Sequence, residues 1–154
     1  MTHLNFPSYE FRIVEKEGKL TIFDPVRKKY VILTPEEWVR QHVITFLVKD
    51  KKVSLSLIRV ESEIKLYNTR KRFDIAVFDR NGNALLVVEC KAPSIPLSQE
   101  VLDQAVRYNL TMKVGYLMLT NGLQHLFCLI DAVDGTTRII QDLPDFKGLA
   151  DQIS

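Results

Sequence analysis

Three side chains in this chain have the types and spacing to do chemistry together: Asp74, Glu89 and Lys91. Glu89 and Lys91 end the run Leu85-Leu86-Val87-Val88-Glu89-Cys90-Lys91, and Ala92-Pro93 follows. Four consecutive apolar residues suit a strand buried on both faces. Side chains alternate along a strand, so Glu89 and Lys91 point to the same side. Asp74 lies in a second apolar run, Phe73 to Asp79, and the turn Asp79-Arg80-Asn81-Gly82-Asn83 separates the two. Asn and Gly tolerate the positive φ of a tight turn, so the two runs read as a hairpin. The start of its first strand then faces the end of its second, and Asp74, Glu89 and Lys91 share one end of a sheet. Two adjacent carboxylates repel, and one is pushed to hold a proton unless a cation intervenes. Mg²⁺ resolves that conflict, because it takes one or two protein carboxylates and completes its shell with water and phosphate oxygens. With Lys91 beside the cation, the set suits metal-assisted phosphodiester hydrolysis.

The rest of the sequence supplies the elements that must hold these groups. Residues 11–33 alternate apolar and polar around Glu17-Gly18 and Asp24-Pro25, which predicts a hairpin or meander. In Leu33-Thr34-Pro35-Glu36-Glu37-Trp38, Thr34 is a helix N-cap, Pro35 the first helical residue and Glu37 the acid of a capping box. Leu33 and Trp38 are placed for a hydrophobic staple around it. That helix runs to about Val48 with Val39, Val43, Phe46 and Leu47 on one face, and His42 reads as a packed helix histidine. Lys49, Lys51 and Lys52 follow as solvated positive charge at its end. Residues 55–66 read as a strand, Ser98 to Met112 as a second helix, and 115–120 and 123–130 as a second hairpin turned at Asn121-Gly122. A short strand near 137–141 precedes an irregular tail. The order β, β, α, β, β, β, α, β, β, β predicts an α/β (α+β) domain with one mixed sheet and helices packed on it.

The bulk numbers exclude little but bound the class. A chain of 154 residues, 46% hydrophobic and 26% charged, fits one globular domain with its own core. A net charge of +2 gives no nucleic-acid signature by itself. Cys90 and Cys128 sit in apolar runs without CxxC spacing and read as reduced core thiols. No signal peptide opens the chain, and no apolar run approaches the ~20 residues of a membrane span, so the expectation is cytoplasmic with no membrane partner. Basic clusters are the remaining signal. Arg70-Lys71-Arg72 leads into Asp74, and Arg107 lies on the second helix, both suited to phosphate contacts that do not read sequence. No recognition helix or zinc module is visible that would read bases.

Asp74, fourteen intervening residues and Glu89-x-Lys91 resemble the PD-(D/E)XK nuclease motif. Gln104-Ala105-Val106-Arg107-Tyr108 on the following helix resembles the QxxxY motif of its RecB-like branch. Over about residues 30–127, through LTPEEWVRQH, RKRFDIAVFD, VVECKAP, LSQEVLDQAVRYN and YLMLTNG, the chain is similar to the N-terminal nuclease domain of type I restriction enzyme R subunits. The resemblance implies a restriction-endonuclease-like core over a single domain, residues 1–154. It implies Mg²⁺, with Mn²⁺ as a substitute, held by Asp74, Glu89 and the backbone carbonyl of Cys90. Lys91 would position or activate the attacking water, and Gln104 and Tyr108 would flank the site and touch the DNA backbone. Glu36 on the first helix is a candidate further carboxylate, ahead of Glu37, Glu61 and Glu63. Phe73 stands where the family has proline before the Asp. No GxxxxGK[ST] phosphate loop follows, so the expectation is the nuclease module without its motor. The implied function is Mg²⁺-dependent DNA hydrolysis. The alternative is a nucleic-acid-binding or assembly module of the same fold that needs a separate motor, modification or specificity subunit. A third reading makes the charged strand end a plain ion pair in an interaction domain. The sequence marks no dimer surface, and an oligomer stays open.

Overall fold

The computed structural model describes residues 1–66, 69–131 and 133–151. It is mixed α/β: a three-stranded antiparallel meander, then a six-stranded mixed sheet carrying three helices. The meander is β1 (Ile13–Lys16), β2 (Lys19–Asp24) and β3 (Lys29–Ile32). Helix α1 (Pro35–Lys49) and a short 3₁₀ turn (Leu55–Leu57) lead to β4 (Ile58–Leu66), β5 (Thr69–Phe78) and β6 (Ala84–Cys90). Helix α2 (Gln99–Met112) crosses over to β7 (Tyr116–Thr120), and β8 (His125–Asp131), β9 (Thr136–Ile140) and α3 (Phe146–Asp151) follow. Strands β4 to β9 lie in chain order across the sheet, and β6–β7 is its parallel pair. The α2 crossover is what a parallel neighbour requires.

The two helix layers divide the core. Val39, Val43, Ile44 and Leu47 of α1 pack on Ile75, Val77, Leu86 and Val88. Leu102, Ala105 and Met112 of α2 pack on Phe73, Ala76, Val87, Leu117 and Leu119 on the other face. Strands β6 and β7 are thus covered on both sides, which is why their sequences are continuous apolar runs. Cys90 and Cys128 are buried free thiols, and His42 is a buried helix histidine against Trp38, Phe6 and Phe11, all as the sequence suggests.

Three expectations are corrected. Thr34 Oγ1 accepts from Glu37 N at 3.0 Å, but the Glu37 carboxylate does not reach back to close the capping box. It bonds Arg27, Arg40 and Gln41, because two guanidiniums, one buried and one partly buried, offer more than one backbone N–H. Lys51 is not solvated: its ammonium bonds Asp142 and the Leu143 carbonyl, and its own carbonyl accepts from Phe146 N. The tail that this lysine anchors is not wholly irregular, since Phe146–Asp151 is helical with Leu149 in the core. The last three positions of that tail lie outside the described residues.

Candidate functional site

The backbone breaks its own pattern at Asp74. Residues two apart on a strand share a face, and Ile75 and Val77 do, beneath α1. Phe73 instead packs with Ala76 under α2. The β4–β5 ladder pairs Val60 with Ile75 and Ser62 with Phe73, but skips the intervening Glu61–Asp74 position. Glu61 there has φ +52°, a left-handed conformation that disfavours a residue with a Cβ. The β5–β6 ladder begins at Ile75–Val88 and leaves Asp74 unpaired beside Glu89. Where that ladder stops, the side chain substitutes for it: Cys90 N donates to Asp74 Oδ2 at 2.7 Å.

Glu89 and Lys91 stand at the carboxyl end of β6, next to the carboxyl end of parallel β7. Lys91 N donates to Thr120 O at 2.8 Å, which prolongs the pairing and fixes where its side chain leaves the sheet. Crevices at the carboxyl ends of parallel strands are the usual ligand sites of open α/β sheets. Here the crevice is a cavity of about 220 Å³ between the sheet and α2, lined by Lys71, Glu89, Lys91, Gln104 and Tyr108 over a floor of Phe73 and Ala105. Ser98 caps α2 by accepting from Val101 N at 3.2 Å, and this presents Gln104 and Tyr108 from one helix face. Asn121 braces the preceding loop, donating to Ile95 O at 2.9 Å and accepting from Leu123 N and Gln124 N.

The electrostatics are those of crowded carboxylates. Burial, and then the negative charge of Asp74, push the Glu89 carboxyl up to about 7; the Lys71 and Lys91 ammoniums offset part of this. Glu89 Oε1 is buried with no hydrogen-bond partner among the described residues. Burial and Asp74 also raise Glu36, whose half-exposed carboxylate lies 3.5 Å from Arg40. The Cys90 thiol, pushed up by burial and then by Asp74, belongs to the core, and it is the backbone N–H of Cys90 that bonds Asp74. These observations test a divalent cation. Among the described residues no cluster of three or more His, Cys, Asp or Glu side chains has metal-holding geometry. The residues that the resemblance names offer two carboxylates and a backbone carbonyl, and the buried Glu89 Oε1, without a partner among the described residues, suits a set whose shell water would complete around Mg²⁺.

The other expected residues divide. Lys71 enters the site, its ammonium 4.5 Å from the centre of the Tyr108 ring. Arg70 and Arg72, on the opposite face of the strand, are 60% and 64% exposed and pair with Glu63 and Glu61. Arg107 is exposed and does not line the cavity. The sequence reading missed Arg40. Its guanidinium lies 3.6 Å from Asp74 Oδ1 and 3.0 Å from Glu37, and the chain of ion pairs continues through Arg27 to buried Asp24 in the meander. The i,i+3 and i,i+4 spacing of Glu36, Glu37 and Arg40 was the available signal.

Comparison with known proteins follows the same lines. The family model for the type I restriction enzyme R protein N terminus (HSDR_N) matches residues 35–144. Among solved structures, a fragment described as an HsdR subunit of a type I restriction enzyme from Vibrio vulnificus matches at TM-score 0.55 and 21% identity. The match covers 79% of this chain and 25% of that one, so this chain spans about a quarter of the solved relative. At this identity the likeness is one of fold. No curated protein matches the chain.

Proposed function

Since the chain belongs to the type I restriction enzyme R protein N-terminal family, whose model covers well over half of it, we propose that it is a metal-dependent deoxyribonuclease domain. The observation that carries this reading is the Asp74–Glu89 pair: two carboxyls crowded at a strand end, one with a buried oxygen that has no hydrogen-bond partner among the described residues. Asp74, Glu89 and the Cys90 carbonyl would hold Mg²⁺ or Mn²⁺, with Glu36 the candidate further carboxylate. Bound there, the cation would supply Lewis acidity toward a phosphoryl oxygen and toward water.

The chain's own residues do the remainder. Lys91 orients the attacking water and offsets the negative charge on the phosphoryl oxygens as the water oxygen bonds to phosphorus and the P–O bond to the leaving sugar oxygen, which takes up a proton, breaks. Lys71, Gln104 and Tyr108 hold the backbone phosphate at the opposite wall of the cavity. Arg70, Arg72 and Arg107 add long-range attraction to DNA without reading its sequence. The site acts in the cytoplasm on DNA, beside the other Hsd subunits. No described helix is long and apolar enough to cross a membrane.

A second reading keeps the same fold and makes the chain a nucleic-acid-binding or assembly module. Under it the chain binds DNA yet cuts only together with a motor or specificity partner. Incubation of supercoiled plasmid with the purified chain in Mg²⁺, Mn²⁺ or EDTA decides between them. Metal-dependent nicking supports the nuclease. Binding without nicking under every condition favours the dependent module, and neither binding nor nicking removes both.

A further inference from the structure

Arg40 is almost fully buried, its Nε without a partner among the described residues, yet its other nitrogens face four carboxylates. Nη2 lies 3.5 Å from Glu36 and 3.6 Å from Asp74. Nη1 lies 3.0 Å from Glu37 and 3.6 Å from Glu61. These acids come from α1, β4 and β5, and Arg27 from the meander shares two of them, Glu37 at 2.8 Å and Glu61 at 4.0 Å. Glu37 also accepts from Gln41 at 3.1 Å, so that partner is fixed. Glu61, half-exposed like Glu36, is shared with Arg72 at 3.2 Å, and it adopts the left-handed backbone beside Asp74. The contact to Asp74 is among the longest of the guanidinium's four, and Asp74 already holds the Cys90 N–H. The guanidinium is therefore secured on Glu37 and only leans on Asp74.

We propose that Arg40 is the resident counter-cation of Asp74 and sets the affinity of the site for divalent metal, an inference that rests on the metal site proposed above. Without metal, its charge holds Asp74 in place beside Glu89. A dication arriving at Asp74 meets a positive charge a few ångströms away, and the two oppose each other in a partly dehydrated site. The guanidinium yields toward Glu36, Glu37 and Glu61, which already surround it, so metal entry needs no new partner for the displaced charge. Arg40 is in this sense a positioning residue: it acts on the metal through Asp74.

The sign of the effect separates this role from a purely structural one. Mn²⁺ binding is measured by calorimetry, without DNA, on the native chain, Arg40→Gln and Arg40→Lys. Removing the charge in Arg40→Gln should tighten Mn²⁺ on the order of tenfold, while Arg40→Lys stays near the native affinity. A residue that merely braced the fold would weaken the metal site on removal. Equal or weaker Mn²⁺ binding by folded Arg40→Gln would overturn the inference. Should that variant not fold, NMR of the native chain with ¹⁵N-labelled arginine gives the answer: the Arg40 side-chain signals should move along the Mg²⁺ saturation curve, and signals that stay put overturn the proposal. A native chain that binds neither Mn²⁺ nor Mg²⁺ would remove the metal site itself, an outcome distinct from binding that Arg40 does not influence.

Discussion

Glu89 gives a prediction that needs no substrate. In the metal-free native chain its carboxyl is held at about 7, by burial first and by Asp74 second, against an ordinary value of 4.5. The folded protein therefore binds this proton more tightly than the unfolded chain does. Its contribution to stability is fully present below about pH 4.5 and is lost as pH rises through about 7. The free energy separating those two values is about 3 kcal/mol. For a domain of this size the loss corresponds to a fall of roughly 6–12 °C in melting temperature. Glu89→Gln keeps the side-chain shape and removes the titration. Urea or thermal unfolding in EDTA from about pH 5 to about pH 8 should show the native chain losing stability relative to Glu89→Gln, with Mg²⁺ flattening the native profile. Parallel profiles for the two proteins in EDTA would refute the claim that Glu89 is a crowded, buried acid.

Other perturbations test the supporting structure. Lys71→Ala should weaken DNA binding and reduce its salt dependence by about one counterion, whereas Arg107→Ala should change affinity less, as fluorescence anisotropy across a salt series would reveal. Thr34→Ala removes the oxygen that caps α1 and should cost about 1 kcal/mol in denaturant unfolding. Phe73→Ala empties the floor of the cavity and should cost about 3–5 kcal/mol in the same measurement. Gly122→Ala places a Cβ 2.8 Å from Leu4 Cδ2 at a residue with φ +85°, so it should lower the melting temperature, while Gly82→Ala, open around its Cβ, should lower it less.

What the sequence disclosed was local. Glu89 and Lys91 share a side because a strand alternates, Gln104 and Tyr108 share a face because a helix repeats, and the Asn81-Gly82 turn aligned Asp74 with Glu89. Alternation could also have singled out Lys71, since Phe73 shares its cavity, from Arg70 and Arg72 on the opposite face. The rest depended on distance along the chain. Arg40 meets Glu61 and Asp74 only when α1 settles on the sheet, and Lys51 meets Asp142 only when the tail returns. The break at Asp74 has no residue signature, because neither Phe73 nor Glu61 is a glycine or proline that would announce it. The helix Phe146–Asp151 did have one, with Phe146, Leu149 and Ala150 at helical spacing, but six residues are too few for periodicity to stand out.

The central claim is that Asp74, Glu89 and Lys91 form a cutting site rather than an ion pair at a strand end. Lys91→Ala tests it most directly, with plasmid nicking in Mg²⁺ and DNA affinity in Ca²⁺ measured on the same preparation beside the native chain. Nicking should be lost while affinity and melting temperature stay near native. A Lys91→Ala protein that nicks at the native rate would contradict it.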